Sequence, residues 1–324
     1  MGKITKEQIN LVCQLKGDGV KHRDISEAVF GVRSKASTVW HILNKHYYDG
    51  QTKVKKQGAR ILVFDIETAP CLSHHWGLWQ QNIGLNMTVR DWFVLSWSAK
   101  WIGEDTVLYE DIREKFDGSA EAAFGEVDDS VILESIWKLL DEADIVVTQN
   151  GKKFDVKKLF ARFVMLGMKP PSSFKHIDTL VIAKRHFAFT SNKLEFMTDK
   201  LCKKYKKLKH AKFSGFDLWK QCLLGNVEAW EEMEEYNRYD VLSLEELVFI
   251  LAPFSNQIPN LDMYYDDNEN HCFCGSTEWE QDGFAYTNLS KFARFKCTSC
   301  GTERRDRHNL LSKDKRKSLV MNVL

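Results

Sequence analysis

Apolar residues run unbroken through Ile61, Leu62, Val63 and Phe64, and then alternate with acids in Asp65, Ile66 and Glu67. Such a run passing into alternation marks a strand buried along most of its length. Side chains two apart project from one side of a strand, so Asp65 and Glu67 share a face at its end. The same patterning predicts strands in FVLSWSAKWI, TVLYED and ADIVVTQ, and helices in DDSVILESIWKLLDE, DVKKLFARFVMLG and the long region from Asn192 onward. Three strands precede the first long helix. That order predicts an α/β fold with a mixed sheet opened by an antiparallel meander and covered by later helices. Residues 1–50 read instead as short helices, KEQINLVCQLKGDG, HRDISEAVFG and KASTVWHILNKHY, with glycines at the breaks.

With 324 residues, the chain has room for two or three domains of roughly 100–200 residues each. The polar, basic stretch GQTKVKKQGAR supplies a linker at 51–60 between the helical segment 1–50 and the α/β segment 61–253. A second polar connector, 254–270, leads to a cysteine-bearing segment at 271–310 and a basic tail at 311–324. Lys and Arg number 46 against 45 Asp and Glu, a net charge of +1, so local clusters rather than overall charge must indicate a nucleic-acid partner. No apolar run approaches the roughly 18 residues of a membrane span, and the amino terminus is charged, so neither a membrane nor secretion is expected. Four of the eight cysteines fall between Cys272 and Cys300, which points to a reduced, cytoplasmic setting with one metal site.

If Asp65 and Glu67 hold a metal, other carboxylates must converge on them. Asp155 sits at a helix start after the turn NGKK, and Asp240 follows Tyr236 by four residues on one helix face. Taken singly, Asp155 reads as a helix cap and Asp240 as an ordinary surface carboxylate. Taken together and in order, they resemble the three motifs of the DEDD-type 3′-5′ exonucleases of the RNase H-like superfamily. Asp65 and Glu67 match the first motif, Asn150 and Asp155 the second, and Tyr236 and Asp240 the third, in its tyrosine subclass. From about Ile61 to the end, the chain is similar to phage and bacterial proofreading-like exonucleases with a carboxy-terminal zinc ribbon. The stretches FSGFDLWKQCLLGNVEAWEEMEEYNRYDV and PFSNQIPN carry that likeness further.

The resemblance implies an RNase H-like mixed five-stranded sheet flanked by helices, and a catalytic set of Asp65, Glu67, Asp155, Tyr236 and Asp240. The four acids would hold two Mg²⁺ or Mn²⁺ ions, which suit hard oxygen ligands. Tyr236 would orient the attacking water. The resemblance also implies that Asp178 in HIDTLVIAKRHF supports the metal-holding acids from behind, and it reads equally as a cap or surface residue.

Substrate contacts are less specific. Asn150, Lys152 and Lys153 lie in the turn before Asp155, where they can meet a phosphate backbone or simply be solvated. The run KLCKKYKKLKHAK reads as a phosphate-binding patch or as a solvated helix face. Trp76, with Trp79, can stack a terminal base or belong to the core. His74 and His75 show no ligand spacing. In the amino-terminal segment, DGVKHRDISEAVFGVRSKASTVWHIL resembles helix-turn-helix DNA-binding domains, with Ser37 and Thr38 opening the recognition helix, beside Ser34, Lys35 and His41. A plain helical adaptor is the alternative.

Cys297-Thr-Ser-Cys300-Gly is a zinc knuckle whose glycine lets the backbone turn tightly. The opposing knuckle supplies Cys274 and either Cys272 or His271, giving one structural Zn²⁺. Around it, Arg294, Arg304 and Arg305, with Lys291, Lys296 and Arg307, form a basic surface suited to DNA. The combined expectation is a two-metal 3′-5′ exonuclease acting on nucleic acid, DNA first, in a bacterial or phage-infected cell and in the service of a DNA polymerase. RNA 3′-end trimming and a non-catalytic DNA-binding regulator are the alternatives.

Overall fold

A computed structural model of the chain describes residues 4–321 and 323, apart from 19, 36–37, 40–41, 44–57, 81 and 207–211. Two compact units result, one of residues 1–57 with 264–267, the other of 58–263 with 268–324. In the smaller unit, Thr5 opens helix α1 (Lys6–Gly17) with a capping box: its hydroxyl accepts the Gln8 amide and the Gln8 side chain accepts the Thr5 amide. Helix α2 (His22–Phe30) ends on Gly31 at φ 70°, a conformation that costs a residue with a Cβ. Val12, Ile25, Val39, Ile42 and Leu43 close a small core. Ser34 and Lys35 are exposed and Thr38 is half-buried, whereas Ser37 and His41 lie outside the described residues.

The larger unit is built on a five-stranded mixed sheet in the order β5-β4-β1-β6-β7. Strand β1 (Ile61–Thr68) is central; β4 (Val94–Trp101) runs antiparallel to it and β5 (Val107–Asp111) antiparallel to β4. On the other side β6 (Ile145–Thr148) pairs with β1, and β7 (Lys175–Asp178) with β6, both parallel. All eight residues of β4 are buried, as a strand covered on both faces requires. Between β1 and β4 a small hairpin of β2 (Leu72–Ser73) and β3 (Thr88–Arg90) stands apart from the main sheet.

The helices are α3 (Ala120–Phe124), α4 (Ser130–Glu142), α5 (Asp155–Met165), α6 (Thr179–His186), α7 (Leu194–Leu201), α8 (Asp217–Leu223) and α9 (Val227–Leu251). Leu133, Ile136 and Leu140 of α4, Leu159 and Phe163 of α5, and Trp230 and Met233 of α9 pack with Phe64, Leu95 and Trp97 of the sheet in one core. Lys100, buried in β4, meets Glu245 of α9 at 2.7 Å and ties the longest helix to the sheet. Two elements depart from the sequence expectation. The short strand β7 and the hairpin β2-β3 were not signalled by hydrophobic pattern.

The carboxy-terminal segment forms a three-stranded antiparallel sheet, β10-β9-β8, from β8 (Trp279–Thr287), β9 (Ser290–Cys297) and β10 (Glu303–Arg305). The basic tail includes a helical turn, α10 (Lys313–Ser318), capped by the Ser312 hydroxyl.

Candidate active site

The parallel ladder between β1 and β6 ends at the pair Val63–Val147, while β1 continues to Thr68. Backbone groups beyond Val63 therefore face a gap on that side and need other partners. The Ile66 amide finds one in Asp155 Oδ1, at 3.2 Å, which places the first residue of α5 against the acid-bearing end of β1. Asp155 is only 2% exposed. Burial pushes its carboxyl up to about 7 against two backbone amides that pull it down, and the charges of Asp178 and Asp240 add to the rise.

The third element is α9, whose amino terminus is capped by the Asn226 side chain on the Glu228 and Ala229 amides. Its buried face carries Met233, Tyr236, Asn237, Asp240, Val241 and Leu244, the spacing of one helical stripe. Among the described residues, ligand oxygens of Asp65, Glu67 and Asp240 all lie within 4.8 Å of one another. Asp155 does not join that group but bonds to the backbone between Asp65 and Glu67. Tyr236 is buried one turn before Asp240, its ring edge-on to Trp219 with centroids 6.1 Å apart.

Asn237 is a site residue that sequence reasoning missed. It is fully buried, its Nδ2 donates to Asp65 Oδ2 at 2.9 Å, and its Oδ1 accepts from the Ser96 hydroxyl at 3.4 Å. The signal was present, since Asn237 stands four residues from both Met233 and Val241 on the apolar stripe.

Asp178 acts as a clamp. One carboxylate oxygen accepts the Asn150 amide at 2.9 Å and caps α6 through the Leu180 amide at 3.0 Å, while the other accepts the Lys152 amide at 3.1 Å. The turn leading into Asp155 is thereby fixed, with Asn150 held at φ 68°. Lys152 and Lys153 are exposed beside it.

Next to the acids lies a cleft of about 460 Å³, lined by Thr68, Cys71, Trp92, Lys158, Phe216 and Trp219 among others. Lys158 Nζ stands 3.5 Å from the Trp92 ring centroid, and burial lowers its pKa. These aromatics were not anticipated. Trp76, which was, is 96% exposed and so is not a core residue.

The second candidate metal centre is sharper. Sulfurs of Cys272, Cys274, Cys297 and Cys300 lie within 4.8 Å of one another, with Cys272–Cys300 at 3.4 Å and Cys274–Cys297 at 3.7 Å. Four thiolates about 2.3 Å from one zinc ion would stand about 3.8 Å apart, so the set fits that ion closely. Against burial, which alone would raise it, the amides of Cys300 and Ser299 bring the Cys297 thiol down to about 6, while burial takes Cys272 up to about 12. His271 is not part of the group; its amide and ring face Asp262 instead. Of the expected DNA-gripping arginines, Arg294 is tied to Asp282 and Glu303, and Arg304 to Asp262 while stacked on Trp279. Arg305 lies over Phe292 with its residue exposed.

Residues 114–252 match the model of a family described as the RNase_H superfamily. That span holds Asp155, Tyr236 and Asp240 but begins after Asp65 and Glu67. Among solved structures, the family B DNA polymerase from the hyperthermophilic archaeon Pyrobaculum calidifontis is similar at 13% identity and a TM-score of 0.41. The likeness covers 60% of this chain and 25% of that one. Comparison with curated proteins gives no match. The mixed sheet flanked by helices is RNase H-like, a fold that supports a nuclease-type function on nucleic acid. Among the described residues, no helix is long and apolar enough to cross a membrane.

Proposed function

We propose that the chain is a metal-dependent exonuclease that removes nucleotides from the 3′ end of DNA. The observation that carries this reading is the convergence of Asp65, Glu67 and Asp240 from one strand and one distant helix to within 4.8 Å. Like charges so placed repel unless cations lie among them, and a donor set made only of carboxylate oxygens suits Mg²⁺ or Mn²⁺. Asp155 completes the set, because a dication beside it favours the ionised form that burial disfavours. When bound, two such ions supply an acidified water and positive charge for the leaving oxygen.

The chain's own groups do the rest. Asn237 donates to one oxygen of Asp65 and so sets the orientation of that carboxylate beside Glu67 and Asp240. Tyr236, its ring edge-on to Trp219, offers a hydroxyl that orients the attacking water. The 3′-5′ direction rests on the resemblance of the three motifs, as does service to a DNA polymerase. The four cysteines hold a structural Zn²⁺, and the amino-terminal helices act as a DNA-binding helix-turn-helix.

Digestion of DNA and RNA labelled at either end, with Mg²⁺, Mn²⁺ or EDTA, tests the reading. Mononucleotides released from 3′ ends of DNA, lost with EDTA or in Asp240→Asn, are expected. Cleavage indifferent to EDTA would overturn it, and preference for RNA would move the substrate to RNA trimming. A faster attack on mismatched than on paired 3′ ends is the sign of an editing role.

A further inference from the structure

From Thr68 to Val89 the chain carries no Asp, Glu, Lys or Arg, although 28% of all its residues are charged. This segment leaves β1 directly after Glu67, forms the hairpin β2-β3 and returns through Trp92 to β4. Both of its feet, at Thr68 and at Trp92, line the cleft beside the acids. Its tip presents Trp76, Leu78, Trp79 and Leu85 at 96%, 83%, 84% and 94% exposure. The tip is nonetheless braced. The His74 amide donates to the Met87 carbonyl at 2.8 Å, the Met87 amide to Gly84 at 2.9 Å, and His75 Nδ1 to the Gly77 carbonyl at 2.8 Å.

Large apolar side chains this exposed on one hairpin mark a surface that binds something. A phosphate backbone is the wrong partner, because the tip has no cation to offer it. A lipid surface is equally unsuited, since interfacial aromatics work with flanking Lys or Arg, and the neighbouring Arg90 is buried on the Ala123 carbonyl. A nucleobase fits both features: a neutral flat face for the indoles, and polar edges for the exposed amides of Gln80, Asn82 and Asn86.

We propose that this uncharged hairpin tip stacks the bases of the single strand whose end occupies the Asp65, Glu67 and Asp240 site. It thus grips bases while phosphates are held elsewhere. This rests on the nuclease reading only for where the strand ends; the binding itself does not require cleavage.

The test uses the full chain with Ca²⁺ in place of Mg²⁺, and anisotropy of a labelled oligothymidylate. Because both indoles are exposed, Trp76→Ala/Trp79→Ala keeps the fold, as a melting curve checks. Its affinity is expected to drop about tenfold or more, with Trp76→Phe/Trp79→Phe restoring most of the loss. Plots of affinity against salt for the wild type and the alanine variant should run parallel, since stacking releases no counterions. Unchanged affinity in the alanine variant, or a loss that disappears at high salt, overturns the proposal. So does a change from dimer to monomer on sedimentation without loss of oligonucleotide binding, which would make the tip a self-association surface. Digestion of the same oligonucleotide by the wild type in Mg²⁺ decides the nuclease reading separately.

Discussion

Gly151 shows how tightly the turn before Asp155 is built. A Cβ placed there would stand 2.3 Å from the Thr148 hydroxyl oxygen and 2.6 Å from its Cβ. The Gly151 amide is bonded to that same hydroxyl at 3.1 Å, so neither residue can retreat without losing it. Gly151→Ala is therefore expected to cost about 1–3 kcal/mol, read as a lower urea midpoint at unchanged slope. The Thr148 hydroxyl also lies 2.8 Å from His176 Nε2, a bond whose direction follows the tautomer of the ring. Burial lowers His176 to about 4, with Asp178 opposing the shift and Lys152 assisting it. An unfolded histidine titrates near 6.5, so between about 6.5 and 4 the unfolded chain binds the extra proton. Stability is then fully present above that window and falls as pH drops through it, by about 1.4 kcal/mol per unit from this group. Asp155, its carboxyl pushed up to about 7, contributes the opposite slope over the same range. The His176 effect is therefore read as the difference between wild type and His176→Gln in urea titrations from pH 7 to pH 5, which should grow as the pH falls.

At the scale of elements, the site is a joint between β1 and α9, and Asn237 is its pin. One amide group bonds Asp65 of β1 and Ser96 of β4 from the helix that carries Tyr236 and Asp240. Asn237→Leu keeps the number and branching of the side-chain heavy atoms but removes the donor that orients the Asp65 carboxylate. Mn²⁺ affinity measured by calorimetry is expected to fall about 10–100-fold, the usual effect of losing a group that orients a metal ligand. A purely structural role would instead lower the melting temperature and leave Mn²⁺ affinity intact. The same joint explains what pattern alone disclosed. β1, β4 and β6 were legible because their apolar residues are buried, half-buried β5 through its apolar start Val107-Leu108-Tyr109, and the acids stood out as breaks in β1. β7, with the sequence KHID, buries only Ile177 and Asp178, and its pairing is fixed by a sheet edge rather than by its own pattern. The hairpin β2-β3 buries little and so has no alternation to read. The burial of Asn237 was legible from its place on the apolar stripe, but its role was not, because a buried amide is defined by its partners, which are 172 and 141 residues away.

For the molecule as a whole, the cysteine spacing left two candidates for one ligand position; both are buried, but the sulfur of Cys272 lies with those of Cys274, Cys297 and Cys300, and His271 is not part of that group. The ribbon around it has little else to hold it. Phe273, Phe292 and Ala293 are its buried apolar side chains among the described residues, and Phe273 spends one face on Phe249 of α9. A sheet this small rarely stands without a metal or other staple, whereas the α/β domain has a core running through four strands and several helices. The two parts should therefore fail separately. Cys300→Ser, or titration of the thiols with a mercurial, is expected to release one zinc per chain and to open the segment 279–307 to trypsin. The segment 61–253 should stay resistant and keep its own thermal transition. Because the sulfurs must be ionised to hold the ion, the same release should occur on acidification, and it should be cooperative because four ligands are lost together. Simultaneous loss of both parts would mean that the ribbon is integral to the nuclease core, through contacts such as Phe249–Phe273, rather than a module stapled onto it.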